Sequence, residues 1–284
     1  FLLNLYFASF LYPSDFGMIL LPILVFGFVE ILVEGGYYTS IVKFSISNKL
    51  TRIILNERIK FGIKLSLAIL LIFLILNYIF DTSIPNLVII SYCIATLLKV
   101  IQFIFEAKLT SDGKYIQAEF IGFATTVLLT FLLIYLIPLT DIPGYYFLSI
   151  LAISHPLITS LALRFLIIHK ENELENELEN EDEIKNINIY SLNVRNSSVI
   201  DFASNKVDEI FLIYFLSPAL LGLLSKIKEL YFLLGSFTSK IISRPWLYIS
   251  SRAREQKVFF GYFCFSIFAI LVTFLCQPFF EFIL

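Results

Sequence analysis

Four lysines, Lys99, Lys206, Lys226 and Lys228, stand inside apolar sequence. An ammonium at bilayer depth is costly unless it pairs with an acid or faces water, and as a compact point charge it suits an anionic ligand. Three of the four belong to VIDFASNKVDEIFLIYFLSPALLGLLSKIKELYFLLGSF, residues 199–237, with Asn205, Asp208, Glu209, Ser225 and Glu229 beside them. At ~100° per residue, Ser197, Ser198, Asp201, Ser204, Asn205, Asp208 and Glu209 fall on one arc, which predicts a helix with a wet face. In the following helix Gly222, Ser225, Lys226, Lys228 and Glu229 share an arc, while Leu223, Ile227, Leu230 and Leu234 lie opposite. Lys206 with Glu209, and Lys226 with Glu229, are spaced to neutralise each other within one helical turn.

Earlier in the chain Lys99, Gln102 and Glu106 share a helix face, as do Glu119, Thr126 and Thr130. Glu30 and Glu34 are expected to cap the inner end of their helix, and His155 precedes Pro156 at a kink. For each of these the alternative is a structural polar contact between helices. Lys64 and Arg164 are expected to snorkel near inner helix ends.

The elements that position these groups are transmembrane helices. Of the 284 residues 58% are hydrophobic and 15% charged, mean hydropathy is +0.85, and continuous apolar runs approach the ~20 residues that span a bilayer. Continuous runs exclude the alternating strands of an outer-membrane barrel. Spans are predicted at 17–34, 61–80, 86–107, 115–137, 144–167 and 258–276, with Pro and Gly breakers between them. Residues 196–239 are predicted to cross twice, turning at Ser217 and Pro218; the alternative is a surface helix at 196–209 followed by one span.

Charge in the loops decides between these. With two crossings, Lys43, Lys49, Arg52, Arg58, Lys60, Lys108, Lys114, Lys170, Lys185, Arg195, Lys240, Arg244, Arg252, Arg254 and Lys257 all fall on one side. The opposite loops, 10–16, 81–85, 138–143, 217–218 and 277–284, hold no Lys or Arg. A single crossing would move the last five cations outside. Cys93, Cys264 and Cys276 lie in apolar runs without metal-binding spacing and read as packing residues.

FLYPSDFG (10–17) and FLSPALLG (215–222) fit one pattern, F-L-x-P-x-x-[FL]-G, the second copy standing 205 residues after the first. Both fall at an external turn. Such a repeat predicts two parallel lobes about an axis along the membrane normal, rocking around a site between them. The expected fold is an all-α polytopic transmembrane bundle, two parallel six-helix lobes in a full protein. The chain is expected to be a fragment with about nine spans, its first truncated by the Phe1 start. The divisions are 1–169, an N-terminal lobe; 170–195, a cytoplasmic linker; and 196–284, the start of a C-terminal lobe. KENELENELENEDEI (170–184) makes that linker acidic and extended or partly helical.

FLYPSDFGMILLPILVFGFVEILVEGG together with SNKVDEIFLIYFLSPALLGLLSKIKELYFLLGSF resembles the polysaccharide transporters and O-antigen flippases of the multidrug, oligosaccharidyl-lipid and polysaccharide exporter superfamily. Asn205 and Asp208 match the family's helix-seven pair, and Ser217, Pro218, Leu221 and Gly222 its next turn. Where the family often has Tyr-Ser-x-Ala-Tyr, this chain has Leu224, Ser225, Lys226, Ile227 and Lys228. The resemblance implies flipping of a lipid-linked oligosaccharide across a bacterial inner membrane by alternating access. It implies membrane lipids and other polysaccharide-assembly proteins as partners, with no cofactor, metal or nucleic acid. Lys99, Lys206, Lys226 and Lys228 would then hold a diphosphate, and Asn205, Asp208, Glu209, Ser225 and Glu119 would line the cavity with them.

Two other functions compete. A drug or cation antiporter of the same superfamily would carry deep acids without the lysines. A membrane enzyme of polysaccharide synthesis would need a large external loop or converging catalytic groups, whereas the external loops are short and His155 and His169 are the chain's 2 histidines. No GxxxxGK[ST] phosphate loop occurs.

Overall fold

The computed structural model describes residues 12–80, 84–140, 142–168, 181–213, 215–225 and 228. The chain divides into two compact units, Phe1–Ser225 and Lys226–Leu284, and the architecture below is that of the first. Its elements are α1 (Pro13–Glu34), α2 (Tyr37–Phe44), α3 (Asn48–Phe80), α4 (Asn86–Ser111), α5 (Tyr115–Leu136), a 3-10 turn at Ile137–Leu139, α6 (Gly144–Ile168) and α7 (Glu181–Leu212). An eighth helix, α8, opens at 218 and is described to 225. The described residues contain no strand.

Among the described residues five segments are long and apolar enough to cross a membrane: Pro13–Phe44, Asn48–Ile79, Asn86–Ser111, Tyr115–Leu136 and Gly144–Ile167. Each agrees with a predicted apolar run, because hydropathy and Pro/Gly punctuation are local signals. The predicted span at 258–276 lies outside the described residues.

Helix α3 departs most from expectation, beginning at Asn48 rather than near 61. Its 33 residues extend about 50 Å, well beyond a hydrocarbon core of about 30 Å. Lys49, Arg52, Arg58 and Lys60 all fall in the excess turns, so the helix runs past the apolar layer on the cationic side.

Helix α4 is the hub, packed against α6, α3, α1 and α2, with α5 resting chiefly on α6. Val88, Ile89, Val100, Ile104 and Ala107 are buried along it. The outward faces of α3 (Leu67, Leu71, Ile75, Ile79) and α5 (Phe120, Phe123, Phe131, Tyr135) are apolar and exposed. Lipid tails can cover such faces, whereas water cannot do so cheaply.

Between α1 and α2 the chain turns on Gly35 and Gly36, at φ 64° and 76°. Side chains rarely adopt these angles, and glycine takes them without strain. Glu34 accepts the N–H of Gly36 at 2.8 Å and of Tyr38 at 2.7 Å, satisfying donors that open α2. It caps the start of α2 rather than the end of α1.

Helix α7 packs with its first turns on α2 and α3 and then runs antiparallel along α1 from about residue 191 to Leu212. Just past the C-terminal end of α1 a Cβ on Gly36 would sit 2.9 Å from the Val194 Cβ and 3.1 Å from the Arg195 N. Farther along, the Phe202 ring meets Phe28, centroids 5.7 Å apart, and passes Gly27. Leu20 and Leu24 of α1 and Leu221 of α8 then form a cluster with Phe202, Leu212, Ile213 and Leu216 around it. Finally Gly17 abuts Pro218, and Gly222 abuts Pro13. The acidic stretch becomes helical at Glu181 and continues into α7 without a break at 195/196; residues 169–180 lie outside the described set.

Candidate functional site

The ionic side of α7 is arranged less evenly than a helical wheel suggests. Asp201, Ser204, Asn205 and Asp208 are exposed, and so are Ile200, Val207, Ile210 and Phe211 of the same helix. Glu209 departs from the predicted wet face, being only 2% exposed. Adjacent residues point ~100° apart, and that turn carries Glu209 from the edge of the polar arc onto the packed face. Its carboxylate is met by the Lys206 ammonium at 2.8 Å to Oε1 and 3.0 Å to Oε2, the pairing the spacing predicts.

A second ion pair ties α4 to α1. Lys99 Nζ lies 3.0 Å from Glu30 Oε2, with side chains 44% and 17% exposed. Lys99 is therefore held by a neighbouring helix yet remains open on one side. Gln102 and Glu106, expected on its face, instead bond each other at 2.7 Å in the buried interior. Glu30 thus has an interhelical role and no capping role.

Near this pair, His155 Nε2 and Thr126 Oγ1 are 3.0 Å apart, joining α6 to α5, and Lys99 is within electrostatic reach of His155. Polar groups from α1, α4, α5 and α6 thus gather inside the first unit. Thr126 also returns a bond to the Gly122 carbonyl at 2.9 Å, within its own helix. Glu119 is half-buried one helical region away, and the Thr130 hydroxyl is buried without a hydrogen-bond partner.

Of the remaining candidates, Ser225 is half-buried at the last described turn of α8, and Lys228 is helical and half-buried. Lys226 and Glu229 lie outside the described residues. Lys64 and Arg164 are exposed, consistent with snorkelling. Among the described residues no three His, Cys, Asp or Glu side chains gather as a metal site would need.

Three structural groups escaped the sequence reading. Lys108, assigned to a loop, is buried and donates to the Ile46 carbonyl at 2.9 Å while pairing with Asp112 at 3.2 Å. Its i, i+4 acid was a visible signal; the carbonyl was not. Arg58 donates to Tyr37 Oη at 3.0 Å, and that hydroxyl donates to Asn188 Oδ1 at 2.7 Å, linking α3, α2 and α7. Lys43 stacks 3.8 Å above the Tyr190 ring. These contacts anchor the start of α7.

A cavity of about 150 Å³ between α3 and α7, lined by Leu50, Ile53, Ile54, Glu57, Ile184, Ile187 and Asn188, is smaller than the roughly 300 Å³ at which ligand pockets begin. It is a packing seam, and the chemistry belongs to the ionic groups above. Compared with curated proteins and with solved structures, the sequence finds no match. With its apolar crossing helices and a match to polysaccharide biosynthesis proteins over residues 7–284, the chain belongs to the polysaccharide biosynthesis protein family.

Proposed function

We propose that this chain is part of a flippase that moves a lipid-linked oligosaccharide, its sugar joined to a polyprenyl diphosphate, across the bacterial cytoplasmic membrane by alternating access. The observation that carries this reading is the course of α7. A helix bearing Asp201, Lys206, Asp208 and Glu209 follows apolar α1 from Gly36 to Leu20, so it shares most of the depth that α1 spans. On this reading α7 and α8 cross as a pair, and their ionic sides border a hydrated passage.

Each element then has a role. Lys99, ion-paired yet half-open, offers positive charge to the diphosphate, and Lys206 does the same from α7. Asn205, Asp208, Ser225 and Glu119 supply hydrogen bonds to sugar hydroxyls, and Lys226 and Lys228 are further candidates for the anion on their sequence alone. The protein performs no bond-making step. Membrane lipids and other polysaccharide-assembly proteins are its expected partners. The antiporter reading is weaker because Glu30 and Glu209 are both already neutralised by lysine.

The test is export of the lipid-linked sugar by variants that remove charge in pairs, Lys99→Gln with Glu30→Gln and Lys206→Gln with Glu209→Gln. Removing both partners avoids a stranded buried acid. Export is expected to fall by about tenfold or more, equivalent to ~1.4 kcal/mol, with membrane levels maintained. Undiminished export by both variants, and by Lys226→Gln and Lys228→Gln, would refute the assignment.

A further inference from the structure

The repeated turns meet. Tyr12 and Ser217 precede Pro13 and Pro218, which open α1 and α8 where a missing N–H costs nothing. One turn inside each helix stands a glycine, Gly17 and Gly222. A Cβ on Gly17 would lie 2.8 Å from Pro218 Cα and would overlap the Pro218 carbonyl; a Cβ on Gly222 would overlap the Pro13 carbonyl and lie 2.9 Å from Gly17 N. The first copy's glycine thus rests on the second copy's proline, and the reverse holds as well. Reciprocal contact of this kind is the signature of a local two-fold axis.

The contact is backbone on backbone, with the absent side chains allowing the close approach. It lies beyond the Leu20, Leu24 and Leu221 cluster, on the side that the loop charges make the outer one. Below it Pro22 stands inside the continuous helix α1, where it removes the N–H that would bond the Met18 carbonyl and so loosens the outer turns of α1. Two close-packed, symmetric helix starts above a turn that lacks one backbone hydrogen bond have the form of a catch with a hinge.

We propose that Pro13–Gly17 and Pro218–Gly222 form a latch that closes the outer end of the passage, and that their separation opens it outward. The latch rests on the flippase reading above. Because its surfaces are bare backbone, it holds by shape and dispersion, and even one added side chain holds it apart.

The test replaces Cys93, Cys264 and Cys276 by alanine, and places Ser14→Cys and Ala219→Cys at exposed positions beside the contact. A short bismaleimide should bridge the pair in membranes; failure to bridge overturns the contact. Labelling of Asn205→Cys or Asp208→Cys by a membrane-impermeant thiol reagent from outside is then compared with and without the bridge. The bridge is expected to cut labelling by about tenfold, and Gly17→Leu or Gly222→Leu to raise it several-fold. Equal labelling of bridged and unbridged protein, absent labelling included, overturns the latch. Export is measured on the cysteine pair before and after bridging, which should stop it. If labelling obeys the bridge but the unbridged protein moves no lipid-linked sugar, the latch stands and the flippase reading falls.

Discussion

Lys99 and Lys206 each hold a glutamate, at 3.0 and 2.8 Å, but the first pair joins residues 69 positions apart on two helices and the second closes one turn of one helix. Their burial differs too. Glu30 keeps 17% exposure beside a lysine that is 44% exposed, whereas Glu209 keeps 2% beside a lysine at 35%. The interhelical pair fixes where α4 stands against α1; the local pair serves to make a deeply placed carboxylate tolerable. One bond specifies geometry, and the other permits burial.

The largest effect should follow from stranding the deeper acid. Lys206→Met is expected to destabilise the protein by about 3 kcal/mol, and Lys206→Met with Glu209→Gln to recover most of that loss. Unfolding midpoints in detergent measure both; equal instability of the single and double variants would break the comparison. Next comes Lys99→Met, with an expected loss of about 1–2 kcal/mol because solvent screens the half-open pair. A Cys cross-link between α1 and α4 near positions 30 and 99 should then form more slowly, sharpening the claim that this pair sets helix placement. The smallest effect belongs to Asp201→Asn, an exposed acid on α7, which should change stability by no more than about 0.5 kcal/mol. A larger loss would mean that the exposed side of α7 is structural.

The same contrast governs what the sequence could disclose. Lys206 and Glu209 were readable because their geometry is set by one helix, and so were the limits of α4, α5 and α6, where Pro85, Gly113, Pro138 and Pro143 punctuate apolar runs. Lys99 with Glu30 was not, because pairing across helices depends on rotation and register that no local spacing encodes. The start of α3 was hidden for another reason. Lys, Arg, Glu and Asn mark the end of the apolar layer, but Lys, Arg and Glu also favour helix, so the helix outlasts its hydrophobic stretch. Lys108 reads as a loop cation by composition, and tertiary contact with Ile46 turns it inward. The match between FLYPSDFG and FLSPALLG foreshadowed a symmetry, but only coordinates reveal that the copies touch each other.

The length of α3 has a mechanical consequence. Its turns beyond the apolar layer form a rigid arm of about 20 Å, and a tilt of about 10° at the membrane would carry the tip roughly 3–4 Å sideways. The Arg58–Tyr37–Asn188 bonds grip that arm together with α7. Small rotations among the crossing helices would therefore reach the tip of that arm amplified, as displacement of a lever.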